Sequence, residues 1–361
     1  MKKYEQIYEK FKGDLIDGNI PYGKKLPSKR ATAEIFGVSV VTVETAYEIL
    51  ESEGYIEAKS RSGYYSKYAT NDLIHEKTAS KALLENSAFS ENLAENEKTN
   101  FPFSVYSSAV RDVLNDYGYA LLQKTDGSGL PQLKTAIKNY LKISRDITVE
   151  EDQIIIGSGA ESLYSIITKL LGKDKIYGLE EPSYTQIEKV YISDGVKVEK
   201  LKLGKDGIPS NILNGTKAEI LHVTPYRSFP TGVTASASKK AEYLHFASAH
   251  NGYIIEDDYE SEFSLNARLT ETLFGSCKDN RVIYINTFSK TICPSIRVGY
   301  ALLPKELAKK YHEKLGFYSC SVPTLEQYVI AKLLNDGSFV RHLNRVRRQK
   351  KQYIVDKATK E

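Results

Sequence analysis

The sequence predicts an α/β protein in two parts: a small helical unit ending in a β-hairpin, and a larger domain with a mainly parallel sheet covered by helices. Two observations predict this class. Residues 1–68 follow the order helix, helix, turn, helix, hairpin, and from residue 101 short apolar segments alternate with helical patterns. Between them, residues 69–100 are polar and lack glycine and proline, which is typical of a linker. We therefore expect domains at 1–68 and 101–361, joined by 69–100.

Composition narrows the class of protein. The 361 residues exceed one ordinary domain, and 41% hydrophobic with 27% charged residues is typical of globular chains. Three cysteines form no CxxC pair, which favours a reducing cytoplasm and predicts no metal site. The charged N-terminus does not resemble a signal peptide, and no apolar run approaches the ~18 residues that span a bilayer. We expect a cytoplasmic protein without a membrane partner.

The front unit has the order of a winged helix-turn-helix. Ile7, Phe11 and Leu15 keep helical spacing, Gly18 ends that helix, and Ser39 is a candidate N-cap for the third helix. The remaining elements are predicted at residues 29–36, at 40–53 and, as two strands, at 55–58 and 64–66. This order predicts DNA binding, because such folds lay their second motif helix in the major groove.

Candidate DNA contacts lie on or beside that third helix. Its outward residues offer hydroxyls for phosphates or bases and valines for thymine methyls, while flanking basic residues and a wing glycine suit the DNA backbone. The candidates are Ser28, Lys29, Arg30, Ser39, Val40, Thr42, Thr45, Arg61 and Gly63. The alternative is a small helical protein-interaction domain, since residues 1–68 carry 11 Lys/Arg against 10 Asp/Glu.

The rear domain is predicted from alternating strands and helices. The strands are expected at 153–156, 175–179, 196–203, 218–223, 253–256, 282–286 and 298–303. Helical patterns cover 130–141, 160–171, 237–250, 323–334 and, as one long basic helix, 339–360. Open sheets of this kind bind ligands at the carboxyl ends of their strands.

Polar residues follow four of these strands. Thr287, Ser289, Lys290 and Arg297 combine an amine suited to Schiff-base formation with groups that can clamp a phosphate. A lone lysine is more often a solvated surface residue, so the prediction of a cofactor site depends on the residues expected near Lys290. Those neighbours are Asp257 and Tyr259, the helix start at Gly159-Ala160 and the aromatic Tyr184. Taken singly, they also fit an acidic loop, an ordinary glycine turn and a core tyrosine.

The motifs resemble a known fusion of two families. The tokens G-x-x-L-P-S-x-R, G-V-S-x-x-T-V-x-x-A-Y and L-x-x-E-G-Y-I resemble the GntR-type winged helix. Val40 and Glu44 stand where many GntR members carry basic residues, so base readout is expected to differ. From about residue 100, TDGSGLPQL, TPYRSFPTGVT, IEDDYESEF and NTFSKTICPSIRVGY resemble the MocR branch of type I pyridoxal-phosphate enzymes, which have the aminotransferase fold.

That resemblance implies roles for the rear residues. Lys290 would form the internal aldimine with pyridoxal 5'-phosphate, Asp257 would face the pyridine nitrogen, Tyr259 the phenolic oxygen, and Tyr184 would stack on the ring. The phosphate would be held by Gly159, Ala160, Thr287, Ser289 and Arg297. The family also implies a homodimer and a further C-terminal lobe, which we expect to be largely missing from this chain.

Three hypotheses follow for function. The first is a transcriptional regulator that senses a small amino compound or the vitamer through the cofactor. The second is an active aminotransferase with a DNA-binding head; Phe229 stands where free-standing enzymes usually carry Asn, which favours the regulator. The third is a DNA-binding protein whose rear domain is a degenerate dimerisation scaffold.

Overall fold

The computed structural model describes residues 3–60, 62–68, 101–265 and 271–358. Two compact units are present: Met1–Asp116 together with Gly337–Asn344, and Tyr117–Asp336 together with Arg345–Glu361. The predicted linker at 69–100 and the predicted DNA contact Arg61 lie outside the described residues. The bounds 1–68, 69–100 and 101–361 therefore stay a prediction.

The first unit contains the expected winged helix-turn-helix. Its elements are α1 (Lys3–Ile16), α2 (Lys29–Phe36), α3 (Val40–Ser52), β1 (Ile56–Lys59) and β2 (Gly63–Ser66). The strands pair antiparallel, with Ile56 opposite Ser66. Ile7, Leu15, Val43, Tyr47 and Leu50 form the centre of its core, which confirms the helical spacing read from the sequence.

Capping residues fix the turn between α2 and α3. The Ser28 hydroxyl accepts a hydrogen bond from the Ala31 amide at 3.2 Å, and the Ser39 hydroxyl accepts one from Thr42 at 3.2 Å. Gly37 ends α2 with φ of 61°, in the left-handed region that glycine adopts without a Cβ penalty. These caps orient α3 relative to α2, and Ser39 is the N-cap that the sequence predicts.

The second unit is built on a seven-stranded sheet. Its strands are β3 (Ile154–Gly157), β4 (Ile176–Glu181), β5 (Lys197–Lys202), β6 (Ile220–Val223), β7 (Tyr253–Asp257), β8 (Val282–Thr287) and β9 (Gly299–Leu302). The spatial order is β3-β9-β8-β7-β6-β4-β5. All seven predicted strands are confirmed, and the sheet is parallel except for β9, which runs antiparallel to both neighbours.

Helices flank this sheet. They are α5 (Pro131–Arg145), α6 (Ala160–Leu171), α7 (Thr185–Ser193), α8 (Ser210–Gly215), α9 (Ala237–Ala249), α10 (Leu273–Ser276), α11 (Lys305–Leu315) and α12 (Thr324–Asn335). Two more helices are assigned in part or almost wholly to the first unit: α4 (Phe103–Tyr117), all but its last residue, and α13 (Ser338–Ala358), which continues into the second unit from Arg345. Ile255 on β7 packs in one core with α6, α7 and α11, whereas its neighbour Ile254 packs in another with α8, α9 and α10. Because successive strand residues face opposite sides, the two cores are the two faces of a three-layer α/β/α domain.

Candidate cofactor site and nucleic-acid interface

A cavity of about 340 Å³ lies where several strands of the second unit end. β7 ends at Asp257 and β8 at Thr287, so both strands deliver polar side chains to it. Its lining residues are Ala160, Glu161, Tyr164, Tyr184, Ile187, Thr224, Phe229, Asp257, Tyr259, Thr287, Ser289, Lys290, Pro294 and Arg297. The structure thus brings together every predicted cofactor residue except Gly159, which lies directly beside Arg297.

Lys290 stands on the loop that connects β8 to β9. Its side chain is exposed where it lines the cavity. The loop is held from within, since the Ser289 hydroxyl donates to the Ile296 carbonyl at 2.6 Å and the Phe288 amide donates to Val298 at 2.9 Å. The amine therefore extends from a braced turn into open space that a small molecule can enter.

Asp257 is the buried carboxylate of the cavity. The Tyr164 hydroxyl donates a hydrogen bond to its Oδ2, and His222 Nε2 lies 3.4 Å from the same oxygen. Burial, together with the charge of Asp257, raises the pKa of Tyr164 well above its ordinary value, so this phenol stays protonated and remains a donor. His222 is positioned in turn by Tyr191, whose hydroxyl lies 2.7 Å from His222 Nδ1. Asp257 is therefore a carboxylate with a fixed orientation.

Three aromatic side chains contribute to the lining of the cavity: Tyr184, Phe229 and Tyr259. Tyr184 and Phe229 meet edge to face with ring centroids 6.3 Å apart. The Tyr259 hydroxyl donates to the Arg227 carbonyl at 3.0 Å, and burial raises the pKa of Tyr259 to about 12. These rings give the cavity flat apolar faces next to the Asp257 carboxylate.

Glu180 holds the loop that follows β6 through two hydrogen bonds. The carboxylate is buried, and its Oε2 accepts hydrogen bonds from Ser228 Oγ at 2.6 Å and from the Thr224 amide at 3.2 Å. Burial raises the pKa of Glu180 to about 7. Thr224 and Phe229, which line the cavity, are thus tied to the end of β4.

The start of α6 forms one end of the cavity. Gly159 has φ of 83°, and a Cβ added there would lie 2.4 Å from Arg297 Nη2. The first amides of a helix have no partner within it, and the helix dipole favours an anion at this end. Arg297 adds a guanidinium, which also forms an ion pair with the Glu161 carboxylate. This end therefore has the donors that a phosphate group requires.

The residues present fit pyridoxal phosphate. The cavity offers a primary amine, a fixed carboxylate, flat aromatic walls and an anion-binding end. The positive φ of residue 159 and the close approach of Arg297 both favour glycine there. Glu161, Tyr164 and His222 were not among the residues predicted from the sequence. The spacing of Tyr164 four residues after Ala160 is the signal that places both on one face of α6. No spacing pattern identifies His222, because it approaches Asp257 from the neighbouring strand β6.

The predicted DNA contacts other than Arg61 lie in the described part of the first unit. Ser28, Arg30, Ser39, Val40 and Gly63 are exposed. Ser28 and Ser39 also cap helices, and the Thr45 hydroxyl donates to the Val41 carbonyl at 3.1 Å.

Lys29 is already paired within this surface. Its ammonium lies 2.5 Å from the Glu44 carboxylate, which raises the pKa of Lys29. Glu44 on α3 therefore neutralises the charge of Lys29, one of the predicted DNA contacts.

Two protein families match this chain, one at its N-terminal end and one over most of the rest. Residues 3–65 match the gntR family of bacterial regulatory proteins, and residues 89–357 match aminotransferase class I and II. The uncharacterized HTH-type transcriptional regulator YdeL of Bacillus subtilis (strain 168) is 32% identical over 98% of this chain and 78% of its own length. The probable rhizopine catabolism regulatory protein MocR of Rhizobium meliloti is 28% identical over 96% of this chain and 74% of its own.

The chain belongs to the MocR-type transcriptional regulators. Another relative of this MocR-type regulator is the HTH-type pyridoxine biosynthesis transcriptional regulator PdxR of Corynebacterium glutamicum, 26% identical over 95% of this chain and 75% of its own. These relatives support the regulator hypothesis over the aminotransferase alternative.

Solved structures share the fold of the rear domain. Pyrococcus horikoshii kynurenine aminotransferase, in complex with PMP, superposes with a TM-score of 0.62 at 21% identity, covering 75% of the regulator and 72% of that chain. LysN, an α-aminoadipate aminotransferase from Thermus thermophilus, gives 0.60 at 22%, covering 74% and 71%. Among the described residues of the regulator, no helix combines the length and apolarity that crossing a bilayer demands.

Proposed function

We propose that this MocR-type regulator binds double-stranded DNA through its first unit and holds pyridoxal phosphate in the cavity of its second. The observation that best supports the cofactor is the convergence of Asp257, Tyr259, Lys290 and Arg297 on one cavity. The effector we propose is a small amino compound or the vitamer itself. The regulator is proposed to act as a homodimer, with size-exclusion chromatography coupled to light scattering as the check.

Each cavity residue has a proposed task. Bound pyridoxal phosphate supplies an aldehyde that reacts with primary amines and a ring that withdraws electrons. Lys290 is the amine that attaches it, and Asp257 holds the proton on the pyridine nitrogen. Tyr164 keeps the Asp257 carboxylate oriented by donating to Oδ2. Tyr184 stacks on the ring. Tyr259 faces its phenolic oxygen and donates to it by turning from the Arg227 carbonyl.

The phosphate contacts are proposed at the other end of the cavity. The amides that begin α6 at Ala160 donate to the phosphate, together with Arg297 and the Thr287 hydroxyl. The Ser289 hydroxyl joins them by turning from the Ile296 carbonyl to the phosphate. Gly159 leaves room for the guanidinium. An effector then changes DNA binding only to the extent that it has different affinities for two conformations of the protein.

Cofactor attachment can be tested on the full chain. Wild-type protein mixed with pyridoxal phosphate is expected to show a visible absorption band, and borohydride reduction with peptide mapping should mark Lys290. Lys290→Ala should lose the band, while Lys278→Ala, which removes an exposed lysine, should keep it. Absence of the band in wild type, or modification elsewhere, would contradict the proposed cofactor role and favour an inert scaffold. Steady transamination of an amino acid would favour the enzyme instead.

DNA binding can be tested by gel shift on the region upstream of the gene. Arg30 is exposed on α2, so Arg30→Ala should weaken binding and reduce the salt dependence by about one phosphate contact. Lys197→Ala on β5 is the matched control with the same charge change. Equal affinities for wild type and Arg30→Ala at all salt concentrations would exclude Arg30 from the interface.

A further inference from the structure

We propose that Glu161 sets how tightly the cavity holds a phosphate group. Its carboxylate pairs with the guanidinium that the phosphate requires, so the site binds phosphorylated ligands weakly and reversibly. The inference rests on the proposed function, because it deepens the account of the same cavity. It assigns a specificity-determining role to a residue that the sequence motifs do not include.

Geometry places the carboxylate at the phosphate end. Glu161 is the second residue of α6 and lines the cavity together with Ala160 and Arg297. Arg297 Nη2 donates to Glu161 Oε2, and the two side chains are 48% and 40% exposed. The pair joins residues 136 positions apart in sequence, so it is formed by the fold and not by helical spacing.

Glu161 thus uses the same two attractions that a phosphate would use. It pairs with the guanidinium, and it stands in the first turn of α6, where the helix dipole stabilises negative charge. Among the described residues that line the cavity, formal charges cancel: Lys290 and Arg297 are cationic, and Asp257 and Glu161 are anionic. A phosphate dianion entering this end must displace the carboxylate from Arg297 or remain beside a like charge.

Exposure makes the pair easy to open. A half-exposed ion pair is screened by water and salt, so the carboxylate competes with phosphate without excluding it. The expected result is a site whose occupancy follows the vitamer concentration, as a sensor requires. An enzyme that keeps its cofactor gains nothing from such a competitor.

The test compares Glu161→Gln with wild type in titrations of the full chain. Pyridoxal phosphate and pyridoxal, which lacks the phosphate, are each titrated by the absorption band. Glu161→Gln should bind pyridoxal phosphate roughly two- to fivefold more tightly and leave pyridoxal unchanged, since only the phosphate meets residue 161. Glu313→Gln, which changes an exposed carboxylate on α11, should match wild type with both ligands.

Two further arms keep the outcomes distinct. Arg297→Ala should abolish the difference between glutamate and glutamine at 161, because the shared guanidinium is gone. Inorganic phosphate, followed by its effect on thermal unfolding, should stabilise Glu161→Gln more than wild type even if no absorption band forms. A missing band with this phosphate effect would refute the cofactor assignment alone. Equal affinities for pyridoxal phosphate in wild type and Glu161→Gln, or an equal gain for pyridoxal, would overturn the role of Glu161.

Discussion

The buried carboxylate of Glu180 makes the stability of the second unit depend on pH. Its pKa rises from the ordinary 4.5 to about 7 because burial penalises the charged form. One pKa unit corresponds to about 1.4 kcal/mol, so ionising Glu180 in the folded protein costs about 3 kcal/mol of unfolding free energy. The sign follows from linkage: the stability is fully present below pH 4.5 and is lost as pH rises to about 7.

Glu180→Gln removes this dependence while retaining an oxygen acceptor for Ser228 and Thr224. We expect the variant to match wild type within about 1 kcal/mol at pH 5 and to exceed it by about 2–3 kcal/mol at pH 8. Guanidinium denaturation followed by circular dichroism at the two pH values measures the difference. Glu313→Gln is the exposed control and should show no pH-dependent gain. A Glu180→Gln effect of the same size at pH 5 and pH 8 would refute the reasoning.

Two other substitutions test the role of Glu44 on α3 in DNA binding and the role of Gly159 before α6 in cofactor binding. Glu44→Gln frees Lys29 from its 2.5 Å ion pair, so DNA affinity at low salt should rise about two- to fivefold and the salt slope should steepen; an unchanged slope in gel shifts would refute this. Gly159→Ala puts a Cβ 2.4 Å from Arg297 Nη2, whereas Gly195→Ala meets open space at a similar φ of 80°. Alanine at 159 should therefore impair pyridoxal phosphate binding in absorption titrations more than alanine at 195, and equal effects would contradict the close contact.

The sequence predicted the rear sheet well because its signal is local. Each of the seven strands is a short apolar run bounded by turn residues, and the observed bounds differ from the predicted ones by two residues or fewer at each end. The antiparallel direction of β9 was not predicted, since it depends on pairing with β3 and β8 and not on composition. The helices α4, α7, α8, α10 and α11 were also not predicted.

The cavity was predicted in its residues but not in its electrostatics. Strand ends and glycine turns identified Asp257, Lys290 and Arg297, because the carboxyl edge of a sheet gathers them regardless of sequence distance. The exposure of Lys290 and the Glu161 pair depend on side-chain packing between distant segments. No pattern within one sequence reports such a contact, and a glutamate in the first turn of a helix is common for local reasons alone.

The loop between β8 and β9 couples the positions of two cavity residues. Lys290 and Arg297 both belong to it, and its two ends are clamped by the antiparallel pairing of Thr287 with Gly299. The amine and the guanidinium are therefore carried on one hairpin and travel together whenever that ladder stays intact. A ligand that contacts both ends of the cavity therefore meets Lys290 and Arg297 as one unit, whereas Ala160 on α6 and Thr224 after β6 belong to separate segments of its lining.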